Sequence, residues 1–65
     1  MPSEVRFAEV RRVLKQHGWT LVRISGSHHL FVKEGEPRHI NLPVHGNKVK
    51  PKYIRKIEKE HGIRI

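Results

Sequence analysis

Apolar residues recur every three or four positions in the first quarter of the chain. Between residues 3 and 16 the apolar positions that keep this spacing are Phe7, Val10, Val13 and Leu14. This period is typical of an amphipathic helix with one buried face. We therefore predict a helix over residues 3–16, with Ser3 as its N-cap, Glu4 in its first turn and Gly18 just beyond its end.

The middle of the chain changes to strand-like patterning. The segments "WTLVRIS" and "HHLFVK" are rich in β-branched and aromatic residues, and a Ser-Gly-Ser turn separates them. A second turn at "EGEP" leads to "RHINL", in which polar and apolar residues alternate, and Pro43 ends this run because proline cannot continue a ladder. Three short antiparallel strands are predicted.

A second helical pattern closes the chain. In "KPKYIRKIEKEHGI", Pro51 suits a helix N-terminus, Gly62 suits a C-cap, and the apolar positions are Tyr53, Ile54 and Ile57. The preceding "PVHGNKV" is predicted to be a turn-rich loop. The order α-β-β-β-α predicts a single α+β domain over residues 1–65, with two helices on one face of a three-stranded antiparallel sheet and the other face open.

Charge points to a polyanionic partner. The 65 residues carry a formal charge of +8, and the pI of about 10.7 exceeds the value of about 9 that marks nucleic-acid-binding domains. Two alternatives are a protein that is merely kept soluble by its charge and one that pairs with an acidic protein. The first twelve residues lack a signal-peptide core and no window approaches the roughly 18 apolar residues of a membrane span, so we expect a cytoplasmic protein with no membrane partner.

Several kinds of catalytic site are disfavoured. The chain has neither cysteine nor aspartate, its six glutamates are scattered, and its six histidines are His17, His28, His29, His39, His45 and His61. Because adjacent strand residues point to opposite faces, His28 and His29 cannot easily share an ion, and we expect no metal and no other cofactor. Ser27 lacks an aspartate-oriented base, so we expect it to shape the turn.

Histidine chemistry without a metal suits RNA, whose 2′-hydroxyl lies beside the scissile phosphate. An exposed imidazole can act as the general base, and nearby cations such as Arg23 favour its neutral form and bind phosphate. DNA lacks this hydroxyl, so we expect no direct action on DNA. If Phe31 faces the helices, His28 lies on the open face; if Leu30 and Val32 are buried instead, the assignment reverses. A structural role is the commoner one for a histidine at a strand start.

A run of cations extends from residue 48 to residue 59. It consists of Lys48, Lys50, Lys52, Arg55, Lys56 and Lys59. Such a run suits contacts along a phosphate backbone, although a solvated basic helix face is the alternative. Aromatic residues for base stacking are scarce, because Trp19 and Tyr53 fit the core better. The pattern therefore predicts backbone binding and gives little support to sequence-specific recognition.

The chain resembles HicA-type messenger-RNA interferase toxins of prokaryotic toxin–antitoxin systems. The resemblance lies in "HGWTLVRISGSHHLF", "HINLPVHG" and "KPKYIRKI", in this order. It implies a fold like the double-stranded RNA-binding domain, metal-independent cleavage of mRNA, growth arrest, and neutralisation by a HicB-type antitoxin. It also implies that His28, with His29 as the alternate, is the catalytic residue, that Gly26 and Ser27 form the turn, and that His45 positions or contacts phosphate.

Our hypothesis from the sequence is a small endoribonuclease with mRNA and an antitoxin as partners. His28 acts as the general base or acid, and the residues expected to hold RNA are Arg23, Gly26, Ser27, His45, Lys48, Lys50, Lys52 and Arg55. A non-catalytic module that binds structured RNA with the same surface is the main alternative. A third possibility is a protein-interaction module whose charge serves an acidic partner.

Overall fold

The computed structural model describes residues 4–65. Strands β2, β3 and β4 form an antiparallel sheet in that order, and β1 pairs with β5 in a separate two-stranded ribbon. The elements in chain order are β1 (Val5–Arg6), α1 (Phe7–Gln16), β2 (Thr20–Ser25), β3 (His28–Lys33), β4 (Glu36–Pro43), β5 (Lys48–Val49) and α2 (Pro51–His61). The small α+β fold with two helices and a three-stranded antiparallel sheet is confirmed.

Both helices contribute to one hydrophobic core on one face of the sheet. Phe31 of β3 lies opposite Ile40 of β4, and both are buried. The residue between Ile40 and Leu42, Asn41, is exposed, as strand alternation requires. The other face of the sheet is therefore open. The buried apolar residues are Val10, Leu14, Trp19, Phe31, Ile40, Leu42, Val49, Ile54, Ile57 and Ile63.

The first helix begins later than the sequence pattern predicts. Residues Val5–Arg6 are extended and pair with Val49 and Lys48, so α1 starts at Phe7 and Glu4 lies outside it. The backbone N–H of Phe7 donates to the carbonyl of Asn47 at 2.8 Å, and no side chain caps the helix. The predicted cap, Ser3, lies outside the described residues. A long-range backbone contact therefore supports the start of this helix.

The predicted loop before α2 contains a small hairpin. His45 and Lys48 exchange two backbone hydrogen bonds of 3.0 Å around a two-residue turn. Both turn residues have positive φ, 57° at Gly46 and 63° at Asn47, which is the geometry of a type I′ turn. The predicted loop thus continues into β5, which holds β1 in place.

A β-bulge at Val22 sets which residues of β2 face the core. Leu21 pairs with Phe31, whereas Arg23 pairs with Leu30, so β2 has one extra residue between these pairs. In a regular strand Leu21 and Arg23 would share a face. The bulge separates them, so that Leu21 packs against the core and Arg23 lies on the open face.

Both ends of α2 and the C-terminal end of α1 agree with the sequence prediction. Pro51 occupies the first turn of α2, and Gly62 ends that helix in the left-handed conformation at φ 66°. Gly18 follows α1 at φ 90°. Within residues 4–65, neither helix has the length and apolar character needed to cross a bilayer.

Candidate functional site

The turn between β2 and β3 positions the start of β3. Ser25 pairs with His28, which leaves Gly26 and Ser27 as a two-residue connection. Gly26 has φ 59°, whereas Ser27 is not in the positive-φ region, and this combination is typical of a type II′ turn with glycine at its first central position. The predicted turn residues thus fix the register that makes His28 the first residue of β3.

His28 lies on the open face of the sheet. Its side chain is exposed, and it lies on the side opposite Phe31, which is 1% exposed in the core. The ring nitrogen Nδ1 is 3.2 Å from Oδ1 of Asn41 on β4. The imidazole is therefore accessible to a polymer and is tethered on one side by the neighbouring strand.

His29 occupies a different environment on the helix side of β3. Its ring centroid is 4.6 Å from that of Phe7, and its Nδ1 is 3.0 Å from the carbonyl oxygen of Ser27. The side chain is half-buried by these contacts. The assignment of His28 as the catalytic residue, with His29 as the alternate, stays a prediction, but the two side chains offer very different access to a substrate.

Arg23 shares the open face with His28. It pairs with Leu30, whose side chain lies on the same face as that of His28, two residues further along β3. Arg23 is exposed, and a side chain of its length reaches diagonal neighbours on the adjacent strand. A phosphate bound beside His28 can therefore meet a guanidinium from β2.

The segment after β4 returns to the β2–β3 turn. The N–H of Val44 donates to the carbonyl of Ser27 at 2.8 Å, which brings the His45–Lys48 hairpin to the same end of the molecule as His28. His45 and Lys48 are exposed. Within the part of the chain that the structure describes, no hydrogen bond joins their side chains to His28.

The remaining predicted RNA-binding cations lie on another surface. Lys50 precedes α2, and Lys52 and Arg55 lie on this helix, which packs against the opposite side of the sheet from His28. Lys52 and Arg55 border a groove that we call the α2 groove; its cationic lining residues are Arg38, Lys52, Arg55, Lys56 and Lys59. The predicted site residues therefore divide between two surfaces.

Three residues near these surfaces were missed by the sequence analysis. Asn41 contacts His28, Arg38 joins the α2 groove, and Arg6 lies directly opposite Lys48 in the β1–β5 ribbon. Alternation in "RHINL" could have placed Asn41 on the open face. Nothing local in the sequence gives the pairing of Arg6 with Lys48, because each strand is only two residues long.

Possible metal ligands are dispersed over residues 4–65. Among these residues, no three side chains of the types His, Cys, Asp and Glu come together as a potential metal site. His61 illustrates a structural role: its side chain is 4% exposed, and its ring lies 4.8 Å from that of Trp19 in an edge-on arrangement. Its Nδ1 is 4.0 Å from Oε2 of Glu36.

A model of the family described as the HicA toxin of bacterial toxin–antitoxin systems matches residues 7–63. The chain belongs to this family. In this HicA-family chain the match runs from the first residue of α1 to the last buried residue, Ile63, and it includes every predicted site residue. No curated protein matches the chain. The HicA-family chain is thus a toxin of a toxin–antitoxin system, and an antitoxin is its partner.

Proposed function

We propose that this HicA-family toxin is an endoribonuclease that cleaves mRNA with His28 as its general base and without a metal. The observation that carries the proposal is the exposed imidazole of His28 on the open face of the sheet. An arginine, Arg23, lies on the adjacent strand of the same face. A base beside a phosphate-binding cation is the minimum that cleavage of RNA through its own 2′-hydroxyl requires.

The reaction needs no reactant beyond the RNA itself. The imidazole of His28 takes the proton of the 2′-hydroxyl, the 2′-oxygen attacks the adjacent phosphorus, and the bond from phosphorus to the 5′-oxygen breaks. The protonated imidazole or water then supplies a proton to the departing 5′-oxygen. The products are a 2′,3′-cyclic phosphate and a 5′-hydroxyl, and Arg23 stabilises the charge that grows on the phosphate oxygens.

Other residues hold the RNA backbone on either side of the reacting phosphate. At the His28 end, the backbone of Gly26 and Ser27, together with His45 and Lys48, borders the same edge of the open face. Lys52 and Arg55, which line the α2 groove, hold phosphates further along the RNA, and so does Lys50 just before α2. Such contacts are electrostatic and depend little on base sequence.

The antitoxin is, in this proposal, of the HicB type and neutralises the toxin by blocking access to His28. The formal charge of +8 favours an acidic protein as the partner. mRNA as the substrate places the toxin in the cytoplasm, where a free copy arrests growth.

The test is the analysis of RNA ends after incubation with purified protein. We expect His28→Ala to lower the cleavage rate at least about 100-fold, since a general base contributes that much or more. The matched control is His39→Ala, because His39 is another exposed histidine in a strand of the same sheet, β4, and has no proposed role. New 2′,3′-cyclic phosphate ends with the unaltered chain and with His39→Ala, but not with His28→Ala, support the proposal.

Four results would contradict it. If a folded His28→Ala variant cleaves at the original rate, His28 is not the general base. If cleavage is lost only in His29→Ala, His29 is the catalytic residue. Cleavage that a chelator abolishes indicates a metal. Salt-sensitive RNA binding by the unaltered chain without any cyclic phosphate ends indicates the non-catalytic RNA-binding module instead.

A further inference from the structure

We infer that Asn41 is a positioning residue that fixes which ring nitrogen of His28 carries the proton. The inference deepens the proposed function and rests on it for its consequence in cleavage. It starts from one contact: Nδ1 of His28 lies 3.2 Å from Oδ1 of Asn41. An amide oxygen can only accept a hydrogen bond, so a hydrogen bond across this contact requires hydrogen on Nδ1.

The hydrogen on Nδ1 determines the state of the other nitrogen. In a neutral imidazole one nitrogen is a donor and the other an acceptor, so a protonated Nδ1 leaves Nε2 with a free lone pair. An unattached histidine in water favours the opposite tautomer, with hydrogen on Nε2. Asn41 therefore favours the tautomer of His28 with hydrogen on Nδ1, which is the minor tautomer of a free histidine side chain.

The fold places Asn41 on the same face of the sheet as His28. Asn41 is an exposed residue between the buried Ile40 and Leu42, so its side chain shares the open face with His28. It pairs with Leu30, and His28 pairs with Pro43, so the two polar side chains are diagonal neighbours across adjacent strands. Diagonal neighbours lie about 7–8 Å apart at the backbone, a span that two side chains of this size bridge.

This arrangement leaves the basic nitrogen facing the substrate. Because Nδ1 is hydrogen-bonded to Asn41 on β4, Nε2 on the other side of the ring is the atom that can meet a 2′-hydroxyl. The contact also limits rotation of an exposed ring that would otherwise sample several rotamers. The side-chain amide oxygen of Asn41 thus gives His28 both the tautomer and the ring orientation that a general base needs.

The direct test is ¹⁵N NMR of the histidine rings, which distinguishes the two neutral tautomers without any need for activity. We expect hydrogen on Nδ1 of His28 in the full chain, measured at a pH where exposed imidazoles are neutral. Asn41→Leu removes the acceptor and keeps a side chain that branches at Cγ, and it is expected to shift His28 toward hydrogen on Nε2. Asn41→Asp keeps an acceptor oxygen and is expected to retain the original tautomer.

Cleavage provides the second measurement. We expect Asn41→Leu to lower kcat/KM about threefold to tenfold, as the loss of one net hydrogen bond predicts. We expect Asn41→Asp to retain most of the original kcat/KM.

Hydrogen on Nε2 of His28 in the unaltered chain, or an unchanged tautomer in Asn41→Leu, would overturn the inference. A tautomer shift in Asn41→Leu with cleavage at the original rate would overturn the positioning role. Failure of the proposed function is seen separately, as an absence of cyclic phosphate ends with the unaltered chain.

Discussion

Two histidines that are neighbours in the chain meet opposite environments in the fold. The ring of His29 packs against Phe7 and bonds the carbonyl of Ser27, so it links β3 to the start of α1 and to the β2–β3 turn. The ring of His28 is exposed and bonds only to Asn41 among the described residues. The physical cause is that successive residues of a strand point to opposite faces of the sheet. One ring therefore packs in the structure, and the other is free to meet a substrate.

This difference predicts different effects on stability. His29→Ala removes an aromatic contact and a hydrogen bond from a half-buried site, and we expect the free energy of unfolding to fall by about 1–2 kcal/mol. His28→Ala alters an exposed side chain, and we expect a change within about 0.5 kcal/mol. Urea denaturation followed by circular dichroism measures both values. Equal losses for the two variants would contradict the separation of roles.

The strand pattern in the sequence bears on which face of the sheet His28 occupies, but it does not predict which side chains lie next to it. Alternation puts His28 on the open face only if Phe31 is the buried anchor of β3, and the structure buries Phe31 and exposes His28. The contact with Asn41 depends on register, and the register between β3 and β4 shifts between Phe31 and Lys33. The bulge at Val22 likewise decides the face of Arg23. Such irregularities arise from packing of the whole sheet, which no local pattern records.

Among the elements, the helices and the three main strands follow from local pattern, whereas the β1–β5 ribbon does not. Pro51 and Gly62 mark the ends of α2 in the sequence, because their backbone preferences act within one turn. A two-residue strand has no measurable period, and its partner lies more than forty positions away. This long-range pairing is also the reason that the predicted helix over residues 3–16 begins at Phe7 instead.

The turn at Gly46 and Asn47 is the part of this ribbon that a single substitution can test. Asn47 has φ 63°, a conformation that asparagine tolerates and a β-branched residue does not. We expect Asn47→Val to lower the free energy of unfolding by about 1–2 kcal/mol, since strain at this residue also disturbs the carbonyl that accepts from Phe7. Thermal unfolding monitored by circular dichroism is the measurement.

The matched control at the same position is Asn47→Gly. Glycine adopts positive φ without steric cost, so we expect the free energy of unfolding to stay within about 0.5 kcal/mol of the original. A comparable loss in both variants would show that the asparagine side chain matters more than the backbone conformation.

For the whole molecule, the important fact is that positive charge lies on two surfaces. Arg23 lies beside His28 on the open face, whereas Lys52 and Arg55 border the α2 groove on the helix side. A flexible single strand can pass from one surface to the other around the edge strand β4, because a negatively charged chain follows positive potential. A binding mode confined to the open face would leave the α2 groove without contacts to RNA.

The salt dependence of RNA binding separates these two modes. If Lys52 and Arg55 each contact a phosphate, removing both reduces the slope of log K against log salt by about 1.4 for single-stranded RNA, because each contact contributes about 0.7. We expect this reduction for Lys52→Ala/Arg55→Ala, measured by fluorescence anisotropy in a His28→Ala background that leaves the RNA intact. The control Arg11→Ala/Lys15→Ala removes the same charge from exposed positions on α1. An equal reduction in both variants would indicate a general effect of net charge, and an unchanged slope in the α2 variant would confine RNA to the open face.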